Sequence, residues 1–102
     1  MKKFLLFIFF PIVSFGQSLF IEVDHLFQQK KYDEAEKLMY NYVASNPNNL
    51  KAIELLGDAY GYQEKWDNAI EHYKVLVEAD DFNANFHYKY GGALGMKALS
   101  VS

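Results

Sequence analysis

Lys31-Tyr32-Asp33-Glu34-Ala35 returns 34 residues later as Lys65-Trp66-Asp67-Asn68-Ala69, so basic, aromatic, acidic and small residues each fall on their own kind. Asn49 and Asn83 keep the same spacing. A period of this length is one supersecondary unit, too small to bury its own apolar face. It must stack on a neighbouring unit, which predicts a helical scaffold.

Working outward from the repeated block, five helical patterns follow one another and no strand-like alternation separates them. The first is predicted over about Leu19 to Gln29, where Phe20, Ile21, Val23, Leu26 and Phe27 cluster by helical spacing. Lys30-Lys31-Tyr32 forms a turn, and Asp33, Glu34 and Glu36 suit the positive end of a second helix. Its stripe is Ala35, Leu38, Met39, Tyr42 and Val43, and Asn46-Pro47-Asn48-Asn49 ends it, because proline cannot continue a helix. Asn49 is placed to cap a third helix, about Leu50 to Gln63, with Ile53, Leu56, Gly57 and Tyr60 on one side. A fourth helix reaches about Ala79 with Ala69, Ile70, Tyr73, Leu76 and Val77 inward. After the turn Asp80-Asp81-Phe82-Asn83, a fifth begins near Ala84.

Residues 50–83 resemble a tetratricopeptide repeat: Ile53-x2-Leu56-Gly57-x2-Tyr60, then Ala69-x3-Tyr73. The stretch departs from the family pattern at Ile53, where tryptophan is typical, and at Asp81, where proline is typical. Unit 16–49 has Glu22-Val23 in place of the leucine–glycine pair, then Ala35-x3-Met39 and Pro47 at the closing position. Unit 84–102 has Tyr90-Gly91-x2-Leu94 in register and stops before a second helix. The resemblance implies an all-α fold of antiparallel helix-turn-helix repeats, stacked as a short right-handed solenoid of about two and a half units. In it Gly57, Gly91, Ala35 and Ala69 would lie where paired helices approach most tightly, and Tyr32 and Trp66 would cover each hinge.

The resemblance also implies a non-catalytic scaffold or adaptor whose first helices line a concave groove for a protein or peptide partner. By register the groove would present Phe20, Asp24 and Phe27, then Lys51, Glu54, Asp58 and Tyr62, then Asn85, Tyr88, Lys89 and Gly92. The lysine and asparagine set that grips a terminal carboxylate in chaperone-binding members is not reproduced, since Phe20 and Asp24 hold two of its places. A mixed aromatic and acidic groove suits an apolar or weakly basic segment, with aromatics as anchors. That these are ordinary exposed helix residues stays open as the other reading.

The beginning of the chain reads as an address. Lys2 and Lys3 precede a nearly unbroken apolar run from Phe4 to Val13, and Ser14-Phe15-Gly16 supplies small residues for cleavage. Residues 1–16 are therefore expected to be a signal peptide, cut at Gly16–Gln17 with Gln17–Ser18 as second choice, leaving 17–102 as the repeat domain. The expectation is export to a periplasm or the exterior. An uncleaved, membrane-anchoring start is the alternative, although the run falls short of the roughly 20 apolar residues of a span. The chain has no cysteine, which excludes disulfides, thiolate metal sites and a lipidated cysteine. Its net charge is −3, every basic residue outside the histidines is lysine, and loss of Lys2 and Lys3 would make it more acidic. That balance, without arginine, weighs against nucleic acid.

No catalytic constellation is visible and no cofactor is expected. His25, His72 and His87 share no metal-ligand spacing, and nothing resembles a nucleophile elbow. Asp80-Asp81 and Asp33-Glu34 are explained by turn and first-turn roles. Gly91-Gly92-x-x-Gly95 lacks the preceding strand and following Gly-Lys of a phosphate loop. Either another backbone packs closely there, which is the favoured reading, or the helix lines a groove that side chains would obstruct. Phe86, His87, Tyr90, Leu94 and Ala98 would face a helix the sequence does not contain. Three explanations fit: continuation past Ser102 into further repeats or an effector region, self-association through helix 84–98, or a bend that makes this helix the cap.

Overall fold

A computed structural model describes residues 15–101, and the expected signal sequence therefore lies almost wholly outside the described residues. Five helices account for nearly all of them: α1 (Phe15–Gln28), α2 (Tyr32–Ser45), α3 (Leu50–Tyr62), α4 (Trp66–Ala79) and α5 (Ala84–Ser100). Each packs against the next, and α1 also touches α3. The fold is all-α, a helical repeat arrangement, with no strand among the described residues. Helix α1 already includes Phe15 to Ser18, ahead of the expected Leu19, and runs through the Gly16–Gln17 bond. Gly16 is buried, and the Phe15 ring lies 6.1 Å from that of Tyr42.

The 34-residue period holds at the level of single hydrogen bonds. Two residues beyond the ends of α1 and α3, Lys30 and Glu64 each sit in the left-handed region with φ of 60°. The next residue then closes the turn by donating five residues back: Lys31 N–H to the Leu26 carbonyl at 2.8 Å, and Lys65 N–H to the Tyr60 carbonyl at 2.9 Å. Neither position carries the usual glycine, so the sequence gives no warning of this geometry. At the other turns, Asn49 Oδ1 accepts from Ala52 N–H at 3.0 Å and Asn83 Oδ1 accepts from Phe86 N–H at 3.1 Å. Both are N-caps of the predicted kind.

Helix α3 is enclosed most completely, since α2, α4 and α1 all reach it, and Ala52 through Gly57, Ala59 and Tyr60 are buried. Gly57 is the close approach that the repeat pattern predicts: a methyl group there would sit 2.7 Å from Tyr73 Cε1 and 3.3 Å from His72 Cβ. Ala35 and Ala69 are also fully buried. Pro47 lies just beyond the end of α2, as expected.

Gly91 does not behave like Gly57. It is exposed, and a methyl group at Gly91, Gly92 or Gly95 would meet nothing within 4 Å. Among the described residues nothing packs closely on this glycine cluster, against the favoured expectation. Helix α5 packs on α4 through Phe86 and Ala93, the counterparts of Ala52 and Ala59, and both are buried. Phe86 thus belongs to the core and does not await a partner. The face that matches Ile53, Gly57 and Tyr60, formed by His87, Gly91 and Leu94, is exposed, because no described helix covers it as α4 covers α3. Ala98 is exposed and Tyr90 half-buried.

Candidate functional site

The residues expected along a groove separate into three groups. Phe20 and Phe27 are half-buried and packed on rings of their own repeats and the next. The Phe20 ring meets Tyr42 edge-on at 5.7 Å, and Phe27 lies 5.0 Å from Tyr62 and 6.3 Å from Tyr32. Asp24 is exposed and apart from the rest.

A second group is brought together but spent on itself. Lys89 of α5 reaches between two carboxylates of α3, donating to Glu54 Oε2 at 2.6 Å and to both oxygens of Asp58 at 2.9 and 3.0 Å. Asn85 donates to the same Glu54 oxygen at 3.1 Å, and Lys51 stands 3.8 Å from the other. Tyr73 of α4 donates its hydroxyl to Asp58 at 2.6 Å. Burial works against the Lys89 charge, yet the hydrogen bonds it donates to Glu54 and Asp58 hold its pKa above the ordinary value. Burial, and then the Asp58 charge, pushes the Tyr73 hydroxyl far up, so it stays a donor at any ordinary pH. Glu54 is only 8% exposed, and this network ties α3, α4 and α5 together. Its polar groups satisfy one another, as buried polar groups must.

The third group opens to solvent beside that network. Asp58, Gly61, Tyr62, Trp66, Tyr73, Tyr88, Lys89, Gly92, Ala93 and Met96 line a cleft of about 640 Å³ between the α3–α4 hinge and α5. Five of the expected groove residues therefore meet here: Asp58, Tyr62, Tyr88, Lys89 and Gly92. Tyr62 and Tyr88 are mostly exposed, at 54% and 79%. Gly92 lines the cleft, and a methyl group there would meet nothing within 4 Å, so the wall is open at this glycine. Trp66 and Met96 were missed as cleft residues. The repeat pattern accounts for Trp66 as a hinge cover, and Met96 lies beyond any quoted motif. The floor is polar but self-satisfied, and the walls are mainly aromatic. What the cleft offers to solvent is therefore chiefly ring surface.

A separate tie holds the α3–α4 hinge to α2: Gln63 and Lys65 donate to Glu36 Oε1 at 2.8 and 2.9 Å. Burial raises the Glu36 carboxyl, but these two hydrogen bonds prevail and leave its pKa below the ordinary value. Lys97 of α5 likewise pairs with Asp67 at the start of α4. The histidines stay apart: His72 bonds the Asn68 carbonyl, and His87 lies against Asp81. Among the described residues no three His, Asp or Glu side chains gather as metal ligands would, and no helix is long and apolar enough to cross a membrane. No protein-family model matches the chain, and no curated protein matches it.

Proposed function

We propose that the chain is an exported, non-catalytic scaffold of the tetratricopeptide-repeat kind that holds a segment of a protein or peptide partner. The observation that carries this reading is the open cleft walled by Tyr62, Trp66 and Tyr88 beside polar groups already paired with one another. Aromatic side chains at the centre of a contact supply most of its binding energy, and paired charges behind them fix the helices that present them. The tetratricopeptide reading rests on the quoted motif residues and on the 34-residue recurrence of hinge and cap geometry. Export rests on the basic head and apolar run at the start of the sequence.

The test is a peptide-display selection against the purified protein, followed by affinity measurements on the wild type and on Tyr88→Ala. Tyr88 is 79% exposed, so its truncation leaves the fold intact within about 0.5 kcal/mol. Selected peptides are expected to lose affinity roughly ten-fold or more, the mark of an aromatic anchor. A selection that returns no binder, or binders indifferent to Tyr88→Ala, would refute the proposal.

A further inference from the structure

The molecule contains the same hinge twice, once filled and once empty. In the first, Tyr32 lies under two rings: Tyr62 stacks on it with centroids 4.6 Å apart and planes 13° from parallel, and Phe27 approaches to 6.3 Å. Moving 34 residues along, Tyr32 becomes Trp66, Phe27 becomes Gly61, and Tyr62 becomes Met96. Both rings that cover the first hinge aromatic have lost their counterparts around the second. The third change is Asp58 to Gly92, which removes another side chain from the same wall. What remains is the cleft over Trp66. Gly61 approaches the indole closely, since a Cβ there would lie 3.7 Å from Trp66 Cζ3, so Phe27's ring has only a glycine in its place.

We infer that this cleft takes a tyrosine or phenylalanine side chain of a peptide partner, stacked on Trp66 as Tyr62 stacks on Tyr32. The inference rests on the scaffold reading above and adds the chemistry of the segment that is held. The first hinge shows that the repeat geometry accepts a ring at this position and at what distance. The cleft, about 640 Å³ and open to solvent, falls within the range of small-molecule pockets and so has room for a large side chain. The polar floor is consumed by the Lys89, Asp58 and Tyr73 contacts, so the occupant is recognised by its π-face and not by a charge.

Trp66 is the only tryptophan in the chain, and its emission reports the cleft directly. The probes are blocked pentapeptides Gly-Ser-X-Ser-Gly with X as Tyr, Phe or Leu, titrated against the purified protein. Tyr and Phe peptides are expected to change the Trp66 emission saturably and to bind several-fold to about ten-fold more tightly than the Leu peptide. Met96→Tyr restores the missing ring within the chain. It is expected to shift the emission by itself and to weaken the Tyr peptide at least ten-fold. Gly61→Phe, which restores the other ring, is the second variant, and circular dichroism checks that both keep the helical content of the wild type. Equal binding of Leu and Tyr peptides would overturn the aromatic assignment while leaving a peptide-binding scaffold standing. So would Tyr-peptide binding unaffected by both variants. If sedimentation shows that the wild type is a dimer and Met96→Tyr a monomer, the occupant is a second copy and the inference is wrong.

Discussion

Gly57 and Gly91 occupy the same position of two successive repeats, and replacing each by alanine should move stability in opposite directions. An alanine methyl at position 57 would meet Tyr73 Cε1 at 2.7 Å, Cδ1 at 3.0 Å and His72 Cβ at 3.3 Å. The tyrosine ring cannot simply swing away, because its hydroxyl is held by Asp58 at 2.6 Å and the residue is 6% exposed. Helices α3 and α4 must therefore part slightly, at a cost of about 1–3 kcal/mol. Alanine returns about 1 kcal/mol through its better helix propensity, so Gly57→Ala should be destabilising by up to about 2 kcal/mol. At position 91 nothing lies within 4 Å, and only the propensity gain of about 1 kcal/mol remains. Urea melts followed by helical circular dichroism should separate the two variants by about 1–3 kcal/mol, with the wild type between them or level with Gly57→Ala. In thermal melts each kcal/mol should appear as roughly 4–8 °C for a domain of this size. Equal shifts from both substitutions, or stabilisation by Gly57→Ala, would refute the tight α3–α4 contact.

Three further outcomes follow from other parts of the molecule. Ala69→Leu adds bulk at a fully buried position and should cost about 1–3 kcal/mol, whereas Glu71→Gln, on the exposed side of the same helix, should stay within about 0.5 kcal/mol; equal effects in the melt would overturn the facing of α4. Glu64→Gly relieves a left-handed residue with φ of 60° and should raise stability by about 1 kcal/mol, measured as a higher urea midpoint. Folded-state pKa values of Tyr73 and Lys89 are both raised, so the stability they contribute is present below about pH 10 and falls as pH climbs through the folded values. Urea midpoints should decline on the alkaline side, and less steeply in Tyr73→Phe.

Helix positions were legible because four independent signals agree in both full units: apolar spacing, acidic first turns, asparagine caps and an aromatic hinge. Residues 15–18 were not read as helical because Phe15, Gly16 and Leu19 carry one continuous apolar face toward α2, and a sequence read for cleavage divides that face. Lys30 and Glu64 were not legible as left-handed residues, since glycine is the usual signal and neither is glycine. Gly91 was misread for a different reason. Its motif is intact, but a close approach needs two helices, and the motif describes only one of them. Among the groove residues, side-chain type and helix face were readable from the repeat spacing. That Lys89 would choose Glu54 and Asp58 over solvent depends on the approach of α5 to α3, which spacing alone does not contain.

The comparison of the two hinges also explains why a stable repeat would keep a hole. Filling the cleft with rings, as the first hinge does, would bury more apolar surface and tighten the contact between α3 and α5. In its place the chain holds α5 with ionic and hydrogen-bonded ties: Lys89 to Glu54 and Asp58 on one side, and Lys97 to Asp67 on the other. The partly buried Lys89 pairs stabilise less than packed rings would, because desolvation offsets much of their attraction, and the exposed Lys97–Asp67 pair adds little. They do, however, fix the separation of the helices without occupying the space between them. Tyr62 and Trp66 thus stand on helices whose spacing is set from below the cleft floor. On the proposal above, a partner's ring then enters without first prising the repeats apart.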